Sequence, residues 1–260
     1  MLHENRVWRP DRTVFECHLW LHLDDDWQNL SAVQVHGCPY IYPNRNEIEF
    51  KVKVYWTRMV WLFLFILFLF TRVAFLGVLP LFNDEATYLR WGWEMIHGIK
   101  PWWYPIAING KPPLTMLLYG LVQGLPIDPL IAGRLLAVCF SAITVFVSIK
   151  TYSILFPKRS ILFYGLLLVF HPFLLFFDRL ALSETMVTAI GALLLYAMVR
   201  YMHTRKVQWI LVIAVLFGIG WWVKTTVFVF LPALVIFWVW LGIKKKISWK
   251  QVFFDAIAGT

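Results

Sequence analysis

Charged residues are scarce in this chain, at 15% against roughly 25% in soluble domains. That scarcity argues against a water-solvated globule. With 60% hydrophobic residues and a mean hydropathy of +0.66, the natural solvent is a bilayer. Cysteine is sparse too. Cys17, Cys38 and Cys139 are an odd count without zinc or redox spacing, which leaves no disulfide framework. A secretory leader is also not evident, because the first strongly apolar run begins near residue 59, too long and too far in for a cleaved segment. The formal charge of +9 would suggest a nucleic-acid partner in a soluble protein. In a membrane chain, basic residues instead act as orientation signals, and no nucleic-acid partner is expected.

Residues 1–56 differ in kind from the rest. They hold eight of the fifteen acidic residues, among them Asp24, Asp25 and Asp26, and no sustained apolar period. They read as a polar extension outside the membrane. Met59, immediately before the apolar run Val60–Phe70, offers an alternative start. Cys17, His18, His22, His36 and Cys38 match no common zinc pattern, and no metal site is predicted from them.

Apolar segments at 59–80, 130–156, 160–177, 182–202, 208–223 and 225–242 are each near the ~17–25 residues that cross a bilayer. The expected fold is therefore all-α, a polytopic membrane helical bundle of about six transmembrane helices with a long first external loop. Residues 57–246 form the membrane domain, and 247–260 read as the start of a further span cut short. Lys51, Lys53 and Arg58 precede the first span, Lys150, Lys158 and Arg159 join the second to the third, and Arg200, Arg205 and Lys206 join the fourth to the fifth. Lys244, Lys245, Lys246 and Lys250 follow the sixth. All fall on one side, assigned to the cytoplasm together with the N-terminus. Asp84, Glu85, Glu94, Asp128, Asp178 and Glu184 fall on the other. The expected location is a plasma or inner membrane, with the functional side extracytoplasmic.

The external loop, 81–129, holds an amphipathic stretch around Ala86–His97 and a short apolar piece, Pro113–Gly124, expected at the interface. Trp91, Trp93, Trp102, Trp103, Tyr104, Trp221 and Trp222 sit at external boundaries and suit an aromatic belt. The sharpest local feature is the adjacent carboxylate pair Asp84-Glu85, directly after the first span. Such a carboxylate can take a proton from a nucleophile, or it can cap the helix that starts near Ala86. In Asn109-Gly110-Lys111-Pro112-Pro113-Leu114, the prolines suit a first helical turn. Lys111 there is placed to bind a lipid phosphate as a point charge, or merely to snorkel. Asp178, Arg179, Glu184 and Lys224 share that external level, while Arg72 and Arg134 lie within or near the membrane. Charges at such depth usually face an interior or a cavity, which predicts an internal polar site near the external face. Asp178 and Arg179 also fit a purely structural ion pair.

A first span, then Asn83-Asp84-Glu85-Ala86, then Gly110-Lys111-Pro112-Pro113-Leu114, then an arginine early in the next span resembles the polyprenyl-phosphate-sugar-dependent GT-C glycosyltransferases. The nearest branches are the protein O-mannosyltransferases and aminoarabinose transferases. His171-Pro172-Phe173 through Asp178-Arg179-Leu180-Ala181-Leu182-Ser183-Glu184 and Gly220-Trp221-Trp222-Val223-Lys224-Thr225 extend the resemblance over residues 57–245. It implies inverting transfer of a sugar from a polyprenyl-phosphate donor to an acceptor hydroxyl on the external face. Asp84 would activate the acceptor, Glu85 would orient Asp84 or bind acceptor or sugar, and Lys111, Arg179 and Lys224 would compensate the phosphate. Arg72, Arg134, Asp178 and Glu184 would support them. No cofactor is required by this reading, which leaves a divalent metal open. The partners are the lipid-linked sugar, a protein, lipid or glycan acceptor, and the bilayer. Against the family, the chain carries the extension 1–56 and lacks later spans and a C-terminal external domain, so it corresponds to the N-terminal half.

Other classes compete. A transporter or lipid flippase would also carry intramembrane charges, but no pair of broken helices in inverted halves is evident. An inactive truncated subunit is the other alternative, against which Asp84, Glu85 and Lys111 stand intact.

Overall fold

The computed structural model describes residues 45–243, with side chains from residue 55 onward except 241 and 242. Cys17, His18, His22, His36, Cys38 and the segment 247–260 lie outside the described residues. The chain divides into two units, residues 1–49 and 50–260; apart from the first residues of the first helix, everything discussed below belongs to the second.

Helix α1, Arg45–Val73, starts within the segment read as a polar extension and carries the first apolar run. Its lower-polarity stretch, Tyr55–Val73, leaves Phe63, Ile66 and Phe70 exposed, as lipid-facing side chains must be. Helix α2, Asn83–Ile96, and helix α4, Leu114–Val122, occupy the external loop where the amphipathic and short apolar stretches are expected, with the short helix α3, Tyr104–Asn109, between them. Helix α5, Pro129–Leu155, opens on Asp128, whose Oδ1 accepts from the amides of Leu130 at 2.9 Å and Ile131 at 3.1 Å, with proline in the first turn. Helix α6, Ile161–Val169, and helix α7, Pro172–Phe177, stand where one span, 160–177, is expected. The break has a local cause. Pro172 has no amide proton and pushes His171 into extended backbone, at φ −61° and ψ 118°. Helix α8, Ser183–Thr204, follows, then α9, Gln208–Val223, a 3-10 turn, Thr225–Val229, and α10, Phe230–Ile243.

Among the described residues, three stretches are long and apolar enough to cross a membrane: Tyr55–Val73, Pro129–Leu155 and Ser183–Thr204. Gln208–Val223 and Thr225–Trp240 are shorter apolar helices. No strand occurs among the described residues, and the fold is an all-α membrane bundle. One core joins α2, α4, α8 and α9 through Tyr88, Tyr119, Met186 and Ile213; a second joins α1, α5 and α6 through Leu64, Phe68, Val145 and Val169.

Helices α2 and α4 cross backbone to backbone. A Cβ on Gly92 would lie 2.2 Å from the Met116 carbonyl, and one on Gly120 would lie 2.3 Å from the Gly92 carbonyl. Real Cβ atoms do not tolerate such distances, so only glycine permits this crossing. It holds the external helices against each other and, through α4, against the ends of α8 and α9.

Candidate active site

Helix α2 begins with Asp84 and Glu85 in its first turn, where carboxylates oppose the positive end of the helix dipole. The two neighbours then diverge. Asp84 is exposed, and its Oδ1 lies 3.5 Å from the Lys111 ammonium. Glu85 is fully buried. Its Oε2 accepts from the Phe82 amide at 3.1 Å, and its Oε1 accepts from the Ala181 amide at 2.7 Å.

Arg134 on α5 completes the Glu85 site. It donates through Nε to Glu85 Oε1 at 3.0 Å and through Nη2 to Oε2 at 2.8 Å. Its remaining donors reach the carbonyls of Leu76 at 2.7 Å, Leu79 at 2.9 Å and Pro80 at 3.0 Å. All the N–H groups of the guanidinium fork are therefore used. The pair ties the turn after α1, the start of α2, α5 and the turn before α8 into one unit.

Lys111 reaches Asp84 because of the turn between α3 and α4. Gly110 closes α3 in the left-handed region at φ +62°, and Pro112 and Pro113 then lead into α4. The Lys111 ammonium lies over the Tyr88 ring, 4.9 Å from its centroid. Partial burial pulls the Lys111 pKa down, but Tyr88 and Asp84 beside it outweigh that effect and hold it above the ordinary lysine value.

From Tyr88 a chain of polar contacts runs to the other side of the site. Its hydroxyl is 3.4 Å from Ser183 Oγ, which donates to Glu184 Oε2 at 3.2 Å. Glu184 Oε1 accepts from the Lys224 ammonium at 2.5 Å. Lys224 sits in extended backbone between α9 and the 3-10 turn, so its side chain leaves the helical stack there. Helix α4 fixes both far elements: Thr115 Oγ1 donates to the Val223 carbonyl at 3.0 Å, and the Tyr119 hydroxyl donates to the Leu182 carbonyl at 2.9 Å.

These side chains surround a cavity of about 230 Å³ lined by Tyr88, Lys111, Thr115, Ser183, Lys224 and Thr225, among others. A second hollow of similar size, about 230 Å³, is walled by Ile106, Pro113, Trp221 and Trp222. The two share Gly110, Pro112 and Thr225. An apolar groove thus adjoins a pocket lined by two lysines, Lys111 and Lys224. That form fits an amphiphile whose anionic head is recognised by charge and whose tail is recognised by apolar contact.

The remaining expected site residues lie elsewhere. Arg179 is not among the lining residues of either hollow; its Nη2 donates to the carbonyls of Ala74 at 2.7 Å and Phe75 at 2.8 Å, just past the end of α1. Arg72 is fully buried, 3.3 Å from Asp178 Oδ2, which also accepts from Ser141 Oγ at 2.5 Å. This second buried pair links α1, α5 and the end of α7. Among the described residues no group of three His, Cys, Asp or Glu side chains gathers as a metal site.

Sequence alone does not single out Tyr88, Ser183 or Thr115, which line the cavity. Tyr88 had a signal: it follows Asp84 by one helical turn, which puts both on the same face of α2.

Residues 110–259, more than half of the chain, match the family described as dolichyl-phosphate-mannose-protein mannosyltransferase. The matched stretch includes Lys111, Glu184 and Lys224, and it begins after Asp84 and Glu85. No curated protein and no solved structure matches the chain.

Proposed function

The chain belongs to the dolichyl-phosphate-mannose-protein mannosyltransferase family of GT-C membrane glycosyltransferases, and from that premise we propose that it moves a sugar from a polyprenyl-phosphate donor to an acceptor hydroxyl. The observation that carries this reading is the junction of the two hollows. Lys111 and Lys224 both line the pocket, which shares Gly110, Pro112 and Thr225 with the groove of Trp221, Trp222, Ile106 and Pro113. The donor's phosphate sits between the lysines and its isoprenoid chain lies along the groove toward the lipid.

Asp84 serves as the base. Its carboxylate is exposed and stands beside Lys111, so it borders the phosphate site while remaining open to an acceptor. The acceptor hydroxyl passes its proton to Asp84, and its oxygen bonds to the anomeric carbon. The bond from that carbon to the phosphate oxygen breaks, and the lipid phosphate leaves with the electron pair. Attack opposite the leaving group inverts the anomeric configuration, as one base and one displacement require. Fixed ammoniums stabilise the charge that grows on the phosphate. Glu85 acts by position: held by Arg134, it sets the first turn of α2 and therefore the direction of Asp84. The sorting of basic loops to one side supports an extracytoplasmic site.

Membranes containing the full chain, given a radiolabelled polyprenyl-phosphate mannose, are expected to transfer label. Asp84→Asn should lower the rate by about 10²–10⁴-fold, the usual contribution of a positioned base. Lys111→Ala should lower it most at low donor concentration and less as the donor approaches saturation, because loss of a donor-binding cation raises KM. Unchanged transfer in both variants would remove the site assignment.

A further inference from the structure

Each of the two pocket lysines has a carboxylate partner. Lys111 lies 3.5 Å from Asp84, and Lys224 lies 2.5 Å from Glu184. Both lysines that line the pocket are therefore already paired with a carboxylate, and an entering phosphate must compete with those carboxylates for its ligands. Asp84 has a use in the reaction proposed above. Glu184 has none, yet it makes the shorter contact.

We propose that Glu184 is the resident counter-anion of the phosphate site, and that it reclaims Lys224 to expel the spent lipid phosphate. This rests on the donor reading of the pocket. The chemistry poses a specific difficulty that Glu184 resolves. A sugar-bearing phosphodiester carries one negative charge, whereas the lipid phosphate left after transfer is a monoester with about −1.5 to −2 near neutral pH. Two ammoniums would thus hold the product more tightly than the donor. A carboxylate within reach of one ammonium competes with both, and it restores the pocket when the product leaves.

The setting suits exchange rather than permanent pairing. The Lys224 and Glu184 side chains are 27% and 40% exposed, so neither is locked in by packing. Glu184 keeps a second anchor when Lys224 turns to phosphate, since Ser183 Oγ donates to its other oxygen at 3.2 Å. Ser183 is itself buried at the start of α8, so the carboxylate stays at the pocket edge.

The test is binding of farnesyl phosphate, with farnesol as the uncharged control, to the full chain in nanodiscs. Lys111→Ala and Lys224→Ala should each weaken farnesyl phosphate binding and leave farnesol unaffected. Glu184→Gln, nearly isosteric, should tighten farnesyl phosphate binding by about five-fold, the scale of a partly exposed ion pair. Glu184→Asp should restore wild-type affinity. In turnover, Glu184→Gln should show stronger inhibition by added farnesyl phosphate. A merely structural glutamate would give unchanged or weaker binding on substitution, and that result, with both lysine variants weakened, would overturn the counter-anion role alone. Unchanged binding in the lysine variants would instead overturn the donor reading of the pocket on which the role depends.

Discussion

Two ion-pair regions meet at the first turn of α2, one built on an arginine and the other on lysines, and they are put to opposite uses. At Glu85 and Arg134 both side chains are fully buried, and every guanidinium N–H has an acceptor. At Asp84 with Lys111 and Glu184 with Lys224, the side chains are between 27% and 59% exposed, and the lysines offer point charges rather than a fork. A buried pair whose lone pairs are all spoken for cannot exchange partners, and so it fixes geometry. A half-exposed pair with one contact can give up its partner to a ligand. Adjacent residues Asp84 and Glu85 thus fall on either side of the boundary between what holds the site and what the site can use.

The largest effect expected from breaking this contrast is on the buried side. Removing one member leaves an uncompensated charge in a dry site, which costs about 3–5 kcal/mol. Arg134→Lys keeps the charge but cannot reach the Leu76, Leu79 and Pro80 carbonyls together with both Glu85 oxygens. Thermal unfolding of the detergent-solubilised chain should therefore show a large loss for Arg134→Lys and for Glu85→Gln. A near-wild-type melting temperature for Arg134→Lys would mean that the fork geometry is not what holds the turn.

A middle effect is expected where the scaffold meets the site. Gly120→Ala places a methyl 2.3 Å from the Gly92 carbonyl, and α4 must move away from α2. The cost is about 1–3 kcal/mol, the usual range for overpacking. Because α4 also anchors Val223 and Leu182 through Thr115 and Tyr119, the same change should separate Lys111 from Lys224 and lower transfer more than stability. Equal loss of stability and transfer would show that the crossing serves packing alone.

The helical bundle was legible because a membrane chain spells out its fold in apolar length. The external helices at 83–96 and 114–122 fell where amphipathic spacing and the Lys111-Pro112-Pro113 junction put them. The break at His171-Pro172 is not legible from apolarity, which does not distinguish one long helix from two short ones; only the proline marks it. At the site, Lys111 and Lys224, both legible as cations at the external level, line one cavity. What sequence could not separate was Arg179 from those lysines, or Glu85 from Asp84. Partner choice there depends on backbone carbonyls at Ala74, Phe75, Leu76, Leu79 and Pro80, which carry no side-chain signature.

The smallest expected effect lies on the exchangeable side, and it sharpens the contrast most. Asp84 and Lys111 are 59% and 35% exposed in their side chains and 3.5 Å apart, so solvent screens their attraction. Lys111→Ala should shift unfolding by no more than about 0.5 kcal/mol while affecting donor binding strongly. The pH dependence of that small contribution has a definite sign. Because the Lys111 pKa in the folded chain is raised above the ordinary 10.5, its stabilising share is present throughout neutral pH and is lost only as pH climbs past that value. Unfolding midpoints of wild type and Lys111→Ala should accordingly stay close between about pH 6 and about pH 9. A large gap between them at pH 7 would place Lys111 among the structural charges with Arg134, and the division between holding and exchanging pairs would no longer run between Asp84 and Glu85.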